Sequence, residues 1–92
     1  MRTISTLDIT PGDTIRVVGL HEVGSDRYGA THSLSVGTIR KSSPTFTVAA
    51  VEPPAYHSRG LRTRVIVLTD GTRIVTSTRQ RVHLLDDEEV NQ

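Results

Sequence analysis

The chain has 92 residues, no cysteine, and eleven basic against ten acidic groups, for a net charge of +1. That length allows one domain, residues 1–92, with a thin core, and the missing cysteines exclude a disulfide framework and a thiolate zinc site. Hydrophobic content is 35%, with one Phe, two Tyr and no Trp, so the core must be built from Val, Ile, Leu and Ala.

Residues 1–6 lack the apolar run of a signal peptide, and no stretch approaches the ~20 apolar residues of a membrane span. A reducing, cytoplasmic location without membrane contact is therefore expected. Leu7 to Thr10 lead into Pro11-Gly12, a turn dipeptide. Residues 13–18 read as a first barrel strand, with Ile15 and Val17 on one face and Arg16 and Val18 on the other. Residues 19–36 hold three glycines and few apolar side chains. They read as a long, partly ordered loop with room for a short hairpin, and loops of this length are often functional.

A second strand is expected over 37–41, ended by Ser42-Ser43-Pro44. A third is expected over 45–52, where Phe46, Val48 and Ala50 share a face. Pro53-Pro54 stops it, because neither residue can donate to a ladder. Residues 55–60, with Tyr56, His57 and Arg59, form a surface loop. The strongest local signal follows. The β-branched run 63–68 meets Asp70-Gly71, and a second run, 72–76, follows at once. Asp-Gly between such runs predicts a hairpin with a tight primed turn. A single helical turn over 78–81, a short last strand over 82–85 and a flexible acidic tail over 86–92 complete the chain. No window carries a sustained helical stripe. The expected core is Ile15, Val17, Ile39, Phe46, Val48, Val65, Val67, Ile74 and Leu84.

This order of elements resembles a small SH3-like barrel of five to six antiparallel strands, with a long loop after the first barrel strand and a one-turn helix before the last. The segment Gly12-Asp13-Thr14-Ile15-Arg16-Val17, followed by Gly37-Thr38-Ile39, is similar to the opening of KOW-type and related translation-associated SH3-like domains. The resemblance covers about a third of the chain. It implies the fold and no specific function.

The charge distribution carries the functional reading. Four acids cluster at 86–89, and residues 1–85 hold eleven basic groups against six acidic ones, a balance of +5. Ten of the eleven basic residues are Arg, whose planar fork suits phosphates and carboxylates. Arg62 and Arg64 share a strand face, with Arg73 expected across the turn from them. Arg40, Lys41, Arg79 and Arg81 extend the patch. Such a set can neutralise phosphates, which points to a non-enzymatic nucleic-acid-binding protein. The structural alternative is a solvated face whose Arg side chains pair with Glu52 and Asp70. The functional alternative is a protein-interaction module, such as an adaptor or inhibitor of a host protein of the kind phages and mobile elements encode. His21, Glu22, Asp26 and His32 are the only local metal candidates, and none of the four histidines has ligand spacing. No catalytic motif is present, so no catalytic residue, metal or cofactor is expected. The acidic tail reads as a solubilising terminus, with folding back on the basic patch or contact with a basic partner as the functional alternatives.

Overall fold

The computed structural model describes residues 1–27, 29–56 and 62–86. The acids at 87–89, together with Tyr28, His57 and Arg59, lie outside the described residues. The fold is all-β. The strands are β1 (Arg2–Ser5), β2 (Thr14–Arg16), β3 (Leu20–Asp26), β4 (Gly29–Leu34), β5 (Thr45–Val51), β6 (Ala55–Tyr56), β7 (Arg62–Leu68), β8 (Arg73–Ser77) and β9 (Arg81–Leu85). They form one sheet in the order β1-β9-β2-β5-β7-β8-β4-β3, with β6 alongside β7.

The sheet is mixed rather than antiparallel throughout. β4 runs parallel to β8, with Thr31 opposite Arg73 and His32 opposite Ile74. The region expected as a long loop with room for a short hairpin supplies this strand. It is a β3–β4 hairpin with a bulge between Glu22 and Gly24, and most of its described residues are exposed.

β5 joins the two halves of the sheet. Its first residues pair with β2, placing Phe46 opposite Ile15. Its later ones pair with β7 past a bulge at Ala49. Pro53-Pro54 ends β5 as expected, but the chain stays beside β7: Glu52 N–H still donates to Val65 O at 2.9 Å, and β6 resumes the pairing at Ala55 and Tyr56.

Two further expectations fail. Residues 37–41 form no strand. The chain instead makes a local turn, in which Ser43 N–H donates to Arg40 O and Arg40 N–H donates to Ser43 Oγ. A single half-buried apolar residue, Ile39, is too little to hold a strand against the sheet. Residues 78–81 do not form a helical turn either. Gln80 N–H closes a simple turn onto Ser77 O at 3.1 Å. The one 3-10 turn among the described residues is Thr6–Asp8, capped by Ser5, whose side chain accepts from Leu7 N–H.

The core comprises Ile4, Ile9, Ile15, Val17, Leu34, Val48, Ile66, Leu68, Ile74 and Val82, with Phe46, Val51, Leu20 and Leu84 packed against it. Four expected members are fully buried: Ile15, Val17, Val48 and Ile74. Val65 and Val67 are not, because β7 turns its other face inward and buries Ile66 and Leu68. The hairpin loop explains this. Gly71 has φ +90°, as expected, but Asp70 does not enter the positive region. Gly71 N–H donates to Leu68 O, and Leu68 N–H donates to Thr72 O, both at 2.9 Å. The loop is therefore the three residues Thr69, Asp70 and Gly71, the turn-plus-bulge form rather than the two-residue primed turn.

Candidate nucleic-acid interface

The seven basic residues singled out by sequence do not form one patch. Cross-strand partners share a face of the sheet. Arg64 lies opposite Thr76, and Ile66 opposite Ile74, so Arg62 and Arg64 lie on the face that carries Ile66 and Leu68. Arg73 lies opposite Val67, on the other face, and is not across from Arg64. It approaches Glu52 at 3.9 Å, the pairing that the structural alternative expected.

Arg64 is occupied. Its Nε donates to Glu52 O at 3.1 Å, and its Nη1 reaches Thr6 O, Leu7 O and Ile9 O at 3.0, 2.7 and 3.2 Å. Because β7 faces inward here, the guanidinium meets the carbonyls of the 3-10 turn instead of solvent. The same turn is tied from its other side: Thr6 N–H donates to Gln80 O, and Thr6 Oγ1 to Ser77 O.

The remaining cations gather at one end of the molecule. Arg79 sits in the exposed turn before β9, next to Thr78, whose N–H donates to Arg62 O. Arg40 and Lys41 are exposed in the turn that leads into β5. Val17 N–H donates to Pro44 O, so this turn lies at the end of β2. Arg81 opens β9, and with Ile39 it lines a cavity of about 320 Å³.

Arg81 belongs to a better-organised face that sequence reasoning missed. Across β1, β9, β2 and β5 the register places Thr3, His83, Arg16 and Thr45 in one row. Ser5 and Arg81 form the neighbouring row. The Thr14 and Thr47 hydroxyls, 3.3 Å apart, lie on the same face. Direct cross-strand neighbours have Cβ atoms about 5 Å apart, so Arg16 and His83 stand side by side. Arg16 is half-buried, and its Nε is buried with no hydrogen-bond partner among the described residues. No carboxylate occupies a register position on this face among the described residues. Asp86, at its margin, lies 3.6 Å from the N-terminal ammonium. The available signal was the alternation of residues 14–18, which already put Arg16 opposite Ile15 and Val17. Pairing with β9 was not readable.

Of the hairpin's metal candidates, His21 is separated by the register from Glu22 and His32. Glu22 is paired with His32, whereas His21 is paired with Ser33 and so lies on the opposite face. Its Nδ1 lies 3.3 Å from Ser35 Oγ. No cluster of three or more metal-ligating groups occurs among the described residues. No described helix is long and apolar enough to cross a membrane.

No protein-family model matches the chain, and no curated protein and no solved structure matches it significantly.

Proposed function

We propose that this chain is a small non-enzymatic binding domain that holds nucleic acid by its phosphates on the outer face of β1, β9, β2 and β5. The observation that carries the reading is the row Thr3–His83–Arg16–Thr45 with Arg81 beside it, a hydroxyl-rich stripe bearing Arg and His and, among the described residues, no carboxylate. Hydroxyls and guanidinium groups are the usual donors to phosphate oxygens. The exposed Arg40–Lys41 turn and Arg79 extend the positive field around that end of the molecule. The SH3-like reading of the architecture is part of the same proposal. It is supported by β5, which pairs with β2 and with β7 and so joins two ladders in one strand.

The test is fluorescence anisotropy with labelled oligonucleotides at several salt concentrations. Each phosphate contact contributes ~0.7–0.9 to the log–log salt slope. The double variant Arg16→Gln/Arg81→Gln should therefore flatten the slope by about 1.5 units and weaken all sequences alike. Absence of wild-type binding at ~50 mM salt, where phosphate-driven association is strongest, would sink the reading.

One observation favours the protein-interaction alternative. The β3–β4 hairpin ends the sheet and exposes Val23, 55% accessible, on a strand whose outer edge pairs with no other described strand. A stoichiometric complex recovered from lysate and resistant to nuclease would support that reading instead.

A further inference from the structure

The cavity beside the basic face has walls and polar groups that narrow what could enter it. Its volume, about 320 Å³, is that of a small-molecule site. Val18, Leu34, Val36 and Ile39 supply aliphatic walls, and Gln80 and Arg81 stand along one side. No carboxylate among the described residues lines it. The Thr76 hydroxyl lies within hydrogen-bond reach of both Ser77 O and Gln80 Oε1, and the Gln80 side-chain N–H donors have no partner among the described residues. The Arg81 guanidinium is likewise without one. Val36 forms an open lip, 93% accessible.

An apolar cavity lined by an amide donor and a cation suits a ligand with flat apolar faces, acceptors on its edge and an attached anion. A nucleobase on a sugar-phosphate chain has that chemistry. Bases in a duplex are stacked and paired and cannot enter, whereas those of single strands can be splayed into protein pockets. Resting on the phosphate-binding reading above, we infer that the cavity receives one unstacked base of a single-stranded nucleic acid. Its flanking phosphates then lie on Arg81 and Arg16. The protein is thereby a single-strand binder whose base site is aliphatic, unlike the aromatic stacking platforms usual in such proteins.

The experiment compares three labelled probes of roughly 12 nucleotides, within the usual single-strand site size: a single strand, its duplex, and an abasic sugar-phosphate strand of equal charge. The single strand should bind at least tenfold more tightly than either of the others at the same salt, and it alone should shift the methyl NMR signals of Val18, Leu34 and Ile39. Gln80→Met keeps the volume and removes the donors. It should lose most of the tenfold margin while leaving the salt slope unchanged, with an otherwise native methyl spectrum as the check on folding. Equal binding of the abasic and base-bearing strands would overturn the base site and leave the phosphate reading standing. No binding of any probe at low salt would overturn both. Methyl shifts that follow protein concentration without nucleic acid would show that a second copy fills the cavity, and would also overturn the base site.

Discussion

Arg64 separates the structural from the functional use of arginine in this chain, and Arg64→Met tests it. Its Nη1 carries two hydrogens but faces three carbonyls, so it contributes two full bonds shared among Thr6, Leu7 and Ile9, and Nε adds a third to Glu52. Bonds from a charged donor are worth ~1.5–3 kcal/mol each. Truncation returns part of this, because Leu7 and Glu52 are exposed and their carbonyls can take up water. Thr6 and Ile9 are fully buried, and their carbonyls recover less. The net cost should be about 2–4 kcal/mol, out of a total stability that is ~5–15 kcal/mol for a typical domain. At ~4–8 °C per kcal/mol for a domain of this size, the melting temperature should fall by roughly 10–25 °C. Urea denaturation of the wild type, Arg64→Met and Arg64→Lys would measure it. Lys keeps the charge but not the fork, and should fall between the other two. A change below ~0.5 kcal/mol in Arg64→Met would show that the carbonyl contacts carry no stability and would return Arg64 to the pool of possible phosphate ligands.

Gly71→Ala should cost about 1 kcal/mol, because φ is +90° while an added Cβ meets no atom within 4 Å; an unchanged melting temperature would contradict the bulged turn. Phe46→Ala should cost ~1–3 kcal/mol rather than the ~3–5 of a fully buried ring, since Phe46 is only half-buried beside the core; chemical denaturation gives the value. Asp70 accepts the Thr72 backbone N–H at 2.9 Å, and this bond, helped by the Thr72 hydroxyl and by nearby His32, holds its carboxyl below the ordinary 3.8. A depressed carboxyl stabilises the fold above its unfolded value and ceases to do so as pH falls through its folded value, so acid titration of the melting temperature should lose a contribution below about 3.8. Asp70→Asn should lack that part of the acid limb, and identical acid limbs would refute it.

The candidate site was half legible. Arg81 was readable as exposed and basic, and alternation already put Arg16 on the face opposite Ile15 and Val17. What made them a site was the pairing of β2 with β9, residues almost seventy positions apart, and no local pattern encodes that. The β3–β4 hairpin was legible as a short hairpin within a loop, but neither its length nor its pairing with β8 was. Glu22, Val23 and Ser25 give no usable alternation because all three are exposed, and among the described residues of the hairpin Leu20 and Leu34 at its base are the ones packed on the core. The segment 37–41 was misread in the opposite sense: Gly-Thr-Ile fits a strand opening, but with no paired neighbour the propensity had nothing to act on.

The remaining errors on the hairpin reduce to one residue. The run 63–68 is apolar at both parities, Val65 and Val67 on one face and Ile66 and Leu68 on the other, so its pattern cannot choose the inner face. The loop chooses it. A two-residue turn at Asp70-Gly71 would pair Leu68 with Arg73 and Val67 with Ile74. Ile74 is buried, so Val65 and Val67 would go inward with it, and Arg62, Arg64 and Arg73 would share the solvent face. The bulged loop takes in Thr69, which moves the pairing by one: Val67 meets Arg73, and Ile66 meets Ile74. A slip of one residue exchanges the faces of a whole strand. Ile66 and Leu68 are buried as a result, Arg64 is carried inward to the carbonyls of the 3-10 turn, and Arg73 is placed on the opposite face near Glu52. The expected arginine patch and the expected valine core are lost together, and the basic surface left for a ligand is the one that β9 assembles with β2.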